Sequence, residues 1–225
     1  MARLYLVRHA QASFGAENYD KLSELGLKQS TYIPGHFSDD PTVSGALYRG
    51  DMLRHKETAD YSFTGMTPVI HAGLNEFDHM NVLTVYQPDI NNKEKMMEIV
   101  MQQKDPKAFI EDEFKRAMLR WMTEEGTTSY NEPFLHFKIR VTDSIQDIIN
   151  TARKEKQKEV IAVTSGGVIS LYMAILMDMP MIKMIDMNQH IANTSVTSLL
   201  FNDKKVTLSY YNNFSHLPKD MVTFM

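Results

Sequence analysis

Residues 160–170, VIAVTSGGVIS, predict a buried strand that runs into Ser-Gly-Gly and then into a helix. Three of the first four residues are β-branched, and a second apolar run follows the glycines. In α/β proteins the carboxyl ends of such strands are where ligands bind. The stretch therefore predicts an α/β protein with functional residues at this strand end, although hydroxyl groups are the only functional side chains it supplies there.

The rest of the chain alternates strands with helices. This alternation predicts a three-layer α/β fold, with a mostly parallel sheet and helices on both faces. The expected strands are residues 3–7, 42–48, 68–70 and 160–163, followed by a hairpin over 195–212 that turns at Asn202 and Asp203. We expect one domain over residues 1–225, in which residues 78–133 form a helical cap insertion over the active-site end of the sheet.

Two helix starts carry recognisable signals. Ser23 is expected to cap a helix that lies within residues 19–37 and ends near Pro34. Asp51 is expected to open the helix over residues 51–63, because an acidic residue is favourable at a helix N-terminus.

Composition excludes several classes of function. The chain has 225 residues, a net charge of -4 and no cysteine. The charge argues against a nucleic-acid partner, and the lack of cysteine excludes disulfides and thiolate metal sites. The longest apolar region, residues 160–179, is interrupted by TSGG, and the N-terminus does not fit a signal peptide. We therefore expect a cytoplasmic protein without a membrane partner.

Four polar positions are candidates for chemistry. The first strand ends in Arg8 and His9, Arg54 lies near the start of a helix, and Glu76 lies in a loop. A neutral imidazole can attack phosphorus, and nearby cations can hold the phosphoryl oxygens. Together with Ser165, these residues suggest a phosphate site.

These residues belong to motifs that resemble one known family. LVRHAQASF (6–14), LRHKETA (53–59), GLNEFD (73–78) and VTSGG (163–167), in this order, resemble the histidine phosphatase superfamily, also called phosphoglycerate-mutase-like. The resemblance implies no metal or organic cofactor. It implies His9 as the nucleophile that forms a phosphohistidine, Arg8 and Arg54 as phosphate clamps, Glu76 as the acid for the leaving group, and Gln11 near the pocket. From their place at the strand end, we expect Ser165 and Gly166 to be further phosphate ligands.

The sequence departs from the family at two positions. Ala10 replaces the usual glycine after the nucleophile, and Ser165 replaces the second histidine. A serine donates one hydrogen bond but no positive charge, and losing about 1–2 kcal/mol in the transition state slows a reaction about 5- to 30-fold. We expect a hydrolase, namely a phosphatase for a phosphorylated small molecule, with weakened phosphate binding at Ser165.

Several alternatives stay open at this stage. The chain is also consistent with a catalytically impaired relative that binds phosphorylated ligands, or with a phosphoglycerate-mutase-type phosphotransferase. A mutase needs further cations, for which the candidates are Arg49, Arg116 and Arg120.

Two other kinds of site deserve comparison. Ser165 could be a hydrolase nucleophile with Asp186 and His190 or His216, although Val163 occupies the first glycine of the G-x-S-x-G motif. His71 and His79 flank Glu76, but their spacing matches no familiar metal site.

Methionine is unusually frequent, with seventeen residues in the chain and six of them between 173 and 187. Methionine fills irregular core space and adaptable contact surfaces. This region and the apolar hairpin are the candidate surfaces for a homodimer, while a methionine metal site is the weaker interpretation.

Overall fold

The computed structural model describes residues 1–13, 18–37, 45–124 and 129–224. It divides into two compact units. One consists of Met1–Glu76 together with Val141–Met225, and the other is Phe77–Arg140.

The larger unit is built on a six-stranded mixed sheet with strand order β3-β2-β4-β1-β5-β6. Strands β1 to β4 are parallel to one another, and β5 runs antiparallel to both β1 and β6. The predicted α/β class with a mostly parallel sheet is therefore confirmed. The strands are β1 Ala2–Arg8, β2 Ala46–Arg49, β3 Val69–Ile70, β4 Glu159–Thr164, β5 Val196–Phe201 and β6 Val206–Asn213.

The centre of this sheet is buried because β1 and β4 are nearly continuous apolar runs. Such runs are typical of parallel strands that are covered on both faces. The two strands pair in register from Arg3 with Glu159 to Arg8 with Thr164. Both strands therefore end at the same edge, and the residues that follow them are brought side by side.

Helices connect the strands and make up the smaller unit. They are α1 Glu24–Ser30, α2 Leu53–Ser62, α3 His79–Tyr86, α4 Lys93–Met101, α5 Pro106–Thr123, α6 Phe134–Lys154, α7 Gly166–Leu176 and α8 Lys183–His190.

The predicted cap at Ser23 is confirmed, whereas the predicted start of the next helix is wrong. The Ser23 hydroxyl accepts a hydrogen bond from Gly26 N–H at 2.9 Å. Helix α2 begins at Leu53 rather than Asp51, and its first amide donates to the carboxylate of Asp20 at 2.7 Å. Asp51 instead accepts from the side-chain amide of Asn75. The acid at this helix start thus comes from a distant part of the chain.

Other sequence predictions hold with shorter bounds. The helix expected within residues 19–37 is α1, followed by a 3-10 helix over Ile33–Phe37. The predicted second strand began at residue 42, but residues 42–44 lie outside the described residues. The hairpin is confirmed, and its turn is closed by Asn202, whose side-chain oxygen accepts from the amides of Lys204 and Lys205.

All regular secondary structure among the described residues of the smaller unit is helical. Its core is aromatic, with the rings of Phe77 and Trp121 stacked at 4.8 Å and the ring of Phe137 5.6 Å from that of Trp121. Trp121 also donates its indole N–H to Glu132 O at 2.8 Å, so its one polar atom is satisfied. The assignment of residues 78–133 as a cap insertion in a single domain stays a prediction.

Among the described residues, no helix is both long enough and apolar enough to cross a membrane.

We predict that Gly26→Ala destabilises the protein. Alanine normally stabilises a helix relative to glycine, but a Cβ at Gly26 would lie 2.1 Å from Gln11 O. Relieving this overlap should cost about 1–3 kcal/mol, which urea unfolding measures. Gly35→Ala is the matched control, because a Cβ there meets nothing within 4 Å. Equal stability of the two variants would contradict the close approach.

Candidate active site

The carboxyl ends of β1 and β4 bring His9 and Ser165 to the same edge of the sheet. The pairing of the two strands ends at Arg8 and Thr164. It is extended by one further bond, in which His9 N–H donates to Thr164 O at 2.8 Å. The residues predicted from the first and last motifs therefore follow adjacent strands.

His9 is buried and held in one tautomer. Its Nδ1 lies 2.7 Å from Ala10 O, and because a carbonyl only accepts, Nδ1 carries the proton. Burial lowers the pKa of His9 well below 6.5, and the charges of Arg54 and Arg8 lower it further. The imidazole is therefore neutral, with its lone pair on Nε2.

Arg8 is a buried cation with two main-chain acceptors. Its Nη1 donates to Phe224 O at 2.7 Å and to Ile191 O. Burial lowers the pKa of Arg8 to about 10, while the carboxylate of Glu76 acts in the opposite direction. Arg8 is thus still charged at neutral pH.

Arg54 is fixed from the first turn of α2 by Asp20. Its Nη1 donates to one carboxylate oxygen of Asp20 at 2.7 Å, while the other oxygen accepts from Leu53 N–H. One side chain therefore positions both the arginine and its helix. Sequence reasoning missed Asp20, since it lies 34 residues away in the chain and belongs to none of the four motifs.

Each of the two arginines has a buried N–H donor that is not used in a hydrogen bond with the described residues. The Nε atoms of Arg8 and Arg54 are buried and have no hydrogen-bond partner among the described residues. An unsatisfied buried donor is costly, and guanidinium groups match the oxygens of phosphate well. The arrangement suits an oxyanion beside His9.

Ser165 is fully buried and bonded to a histidine that sequence reasoning did not consider. Its Oγ lies 2.7 Å from Nε2 of His55, whose ring centroid is 5.6 Å from that of His9. The one available signal was the repeated dipeptide, because Arg54-His55 repeats Arg8-His9.

The side chains considered for a serine-hydrolase triad have other partners. His190 is exposed, and its Nδ1 contacts Asp186 O at 2.8 Å. His216 contacts Thr194 Oγ1 at 3.3 Å. With His55 as the partner of Ser165, the structure argues against that triad.

Glu76 lies at the N-terminus of α7. Its Oε2 accepts from Gly167 N–H at 2.9 Å, so the carboxylate caps this helix. A Cβ at Gly166 would lie 2.3 Å from Asn188 Oδ1 and 3.5 Å from Arg8 Nε. The absence of a side chain at Gly166 thus leaves room for the side-chain amide of Asn188, and Arg8 Nε lies at ordinary contact distance from the same point.

Gln11 follows His9 by two residues and is hydrogen-bonded to α1 and its cap. Its main-chain N–H donates to Gln29 Oε1 at 2.9 Å, and its side-chain oxygen accepts from Ser23 Oγ at 2.8 Å. A direct contact between Gln11 and phosphate stays a prediction.

The two histidines considered for a metal site have separate surroundings. His71 accepts a hydrogen bond from Gly73 N–H within its own loop, and His79 is the first residue of α3. Across the described ranges, no group of three or more histidine, aspartate or glutamate side chains is arranged to hold a metal ion.

One family matches this chain in sequence. The sequence model of the histidine phosphatase superfamily (branch 1) matches residues 82–214, which is more than half of the chain. The match includes Ser165, whereas Arg8, His9, Arg54 and Glu76 precede it. No curated protein matches the chain in sequence.

Solved structures of similar fold cover nearly the whole chain. YhfR of Bacillus stearothermophilus has a TM-score of 0.69 and 19% identity, covering 96% of this chain and 99% of that one. Phosphoglycerate mutase of Bacillus anthracis has a TM-score of 0.67 and 17% identity, covering 96% and 94%. A mutant phosphoserine phosphatase of Entamoeba histolytica, in complex with phosphoserine, has a TM-score of 0.64 and 16% identity, covering 97% and 100%. At these identities the likeness establishes the phosphoglycerate-mutase-like fold.

We predict that stability falls as the pH drops from 7.5 to 5.5. Burial lowers the pKa of His9, His36 and His55, and it lowers that of His216 to about 4. Below about pH 6.5 the unfolded chain therefore binds protons that the folded chain does not. The free energy of unfolding should decrease by up to about 1.4 kcal/mol per pH unit for each of the fully buried His9 and His55, and by less for His36 and His216, whose interactions solvent screens.

Urea unfolding at pH 7.5, 6.5 and 5.5 measures this dependence. His55→Gln should make the decline shallower, and replacing the exposed His190 by glutamine should leave it unchanged. A stability that is constant over this interval would show that the histidines titrate normally in the folded protein.

Proposed function

Since this chain belongs to the histidine phosphatase superfamily (branch 1), we propose that it is a phosphatase that hydrolyses a phosphorylated small molecule through a phosphohistidine on His9. The observation that carries the proposal is the state of His9. Its imidazole is buried and neutral, its Nδ1 proton is held by Ala10 O, and two arginine cations lie near it. This is the state that an imidazole needs in order to attack phosphorus with Nε2.

In the first step, Arg8 and Arg54 hold the phosphoryl oxygens, and Ser165 and the Gly166 amide add hydrogen bonds. Nε2 of His9 bonds to phosphorus as the bond from phosphorus to the leaving oxygen breaks. Glu76 protonates that oxygen. The carboxyl group of Glu76 is held in place for this step, because its Oε2 accepts from Gly167 N–H.

In the second step, water attacks the phosphohistidine and the bond between phosphorus and Nε2 breaks. Glu76, left ionised by the first step, accepts the proton from that water. The products are inorganic phosphate and a neutral His9, so the site returns to its starting state.

Hydrolysis is favoured over transfer to a second acidic substrate by the surroundings of the candidate cations. Arg116 and Arg120 each pair with a carboxylate on or next to their own helix, Arg116 with Asp112 and Arg120 with Glu124. Arg49, at the end of β2, donates to Gly50 O, and its buried Nε lacks a partner among the described residues, so it is the one candidate that stays available. A net charge of -4 supports a small-molecule substrate rather than nucleic acid.

We predict that His9→Ala abolishes turnover, because no other group in the proposal can carry the phosphoryl group. The assay is a panel of phosphorylated metabolites, phosphopeptides and an aryl phosphate without added metal, with mass detection of the phosphoenzyme after rapid quenching. His190→Ala is the control and should keep the wild-type rate. Substantial residual activity in the His9 variant would refute the nucleophile. Phosphate binding without turnover in the wild type would favour the impaired, ligand-binding alternative.

We also predict that the combined exchange His55→Ala with Ser165→His raises turnover. A histidine at 165 alone would overlap His55, whose Nε2 is 2.7 Å from Ser165 Oγ. With that space vacated, a cationic donor should raise kcat/KM about 5- to 30-fold over His55→Ala alone. Failure to exceed that control would contradict the idea that the serine leaves a charge deficit.

A further inference from the structure

We propose that His55 is a positioning residue that aims the Ser165 hydroxyl at a bound phosphoryl group. His55 lies on α2, whereas the serine that it positions follows strand β4. This inference rests on the proposed phosphate site and deepens it. It assigns a function to a histidine for which the reaction steps above have no use.

The proton on His55 can be placed from its surroundings. Nδ1 is buried and lacks a hydrogen-bond partner within the described part of the chain. A buried N–H without an acceptor is rare, so the proton belongs on Nε2. Nε2 then donates to Ser165 Oγ at 2.7 Å.

This bond determines what the serine can do. Because Oγ accepts from His55, the proton of the hydroxyl is left for another acceptor. A serine before a helix normally caps that helix, but Ser165 makes no such bond at the start of α7. Glu76 binds the amide of Gly167 instead. The Ser165 hydroxyl is therefore not needed to cap α7.

The local geometry directs that hydroxyl toward the phosphate site. The His55 ring lies 5.6 Å from the ring of the nucleophile His9. Arg8 Nε lies 3.5 Å from the point where a Cβ of Gly166, the residue after Ser165, would be. Ser165 is thus bonded to a ring that neighbours the nucleophile, and it precedes a residue that neighbours a phosphate clamp.

His55 supplies direction rather than charge. Burial lowers its pKa well below 6.5, with smaller contributions from Arg54 and Arg49. The ring is fixed by close packing, since a Cβ at Gly50 would lie 2.2 Å from Nδ1. A fixed, neutral donor fits the role of a positioning group.

A double-mutant cycle tests the proposal. His55→Leu and Ser165→Ala should each lower kcat/KM for an aryl phosphate roughly tenfold. If His55 acts through Ser165, the double variant should be no slower than Ser165→Ala alone. Losses that multiply would overturn the proposal, as would a His55→Leu variant with the wild-type rate.

A matched pair of amides separates positioning from folding. The amide nitrogen of glutamine can occupy the place of Nε2, whereas that of asparagine occupies the place of Nδ1. His55→Gln should stay within about threefold of the wild type, and His55→Asn should fall like the leucine variant. Equal losses in the two would overturn the proposal. Thermal unfolding shows whether the leucine variant folds. If it does not, the comparison of His55→Gln with His55→Asn tests the proposal in its place.

A binding measurement keeps this inference separate from the phosphatase proposal. The same cycle is repeated with inorganic phosphate, using calorimetric Kd values as the readout. Non-additive losses in Kd without any turnover in the wild type would support the role of His55 and refute the phosphatase. If turnover depends on His9 but the losses are additive in both cycles, the role proposed for His55 is refuted and the phosphatase proposal stands.

Discussion

The parallel pairing of β1 with β4 is the constraint on which this site depends. Because the two strands stay in register up to Arg8 and Thr164, the next residue of each strand, His9 and Ser165, leaves the sheet at the same edge. Residues more than 150 positions apart are thereby fixed by main-chain hydrogen bonds. A displacement of one residue would turn each side chain to the opposite face of the sheet. The chemistry of the site is therefore specified by the same bonds that specify the fold.

Two buried cations beside a neutral histidine are the electrostatic feature of this edge on which the proposed chemistry depends. Arg8 is offset by main-chain oxygens and Arg54 by Asp20, so each guanidinium keeps its charge in a buried place. Their fields and the exclusion of water hold His9 neutral. The buried Nε donors of both arginines lack partners among the described residues, and in the proposed reaction the phosphoryl oxygens would satisfy them. The same two guanidinium groups thus lower the stability of the fold and would supply the affinity for an anionic ligand.

Sequence alone predicted the parts of this arrangement that follow from local patterns. The apolar runs gave the strands, and Ser23 gave a cap, because both depend on neighbours within a few residues. The motifs placed Arg8, His9, Arg54 and Glu76 near one another through family resemblance. The roles of Asp20 and His55 depend on contacts across 34 and 110 residues. No periodicity or spacing encodes such contacts, which explains why Asp51 was wrongly chosen as the acid at the start of α2.

The tight fit of His55 against Gly50 has a consequence for how the protein can change over time. A side chain at position 50 would displace the imidazole, and a larger side chain at 165 would overlap it. Single exchanges at any of these three positions therefore pass through a poorly packed intermediate. Homologues should differ here in correlated sets, with a small residue at 55 accompanying a ring at 165. Positions 50, 55 and 165 are thus expected to change together.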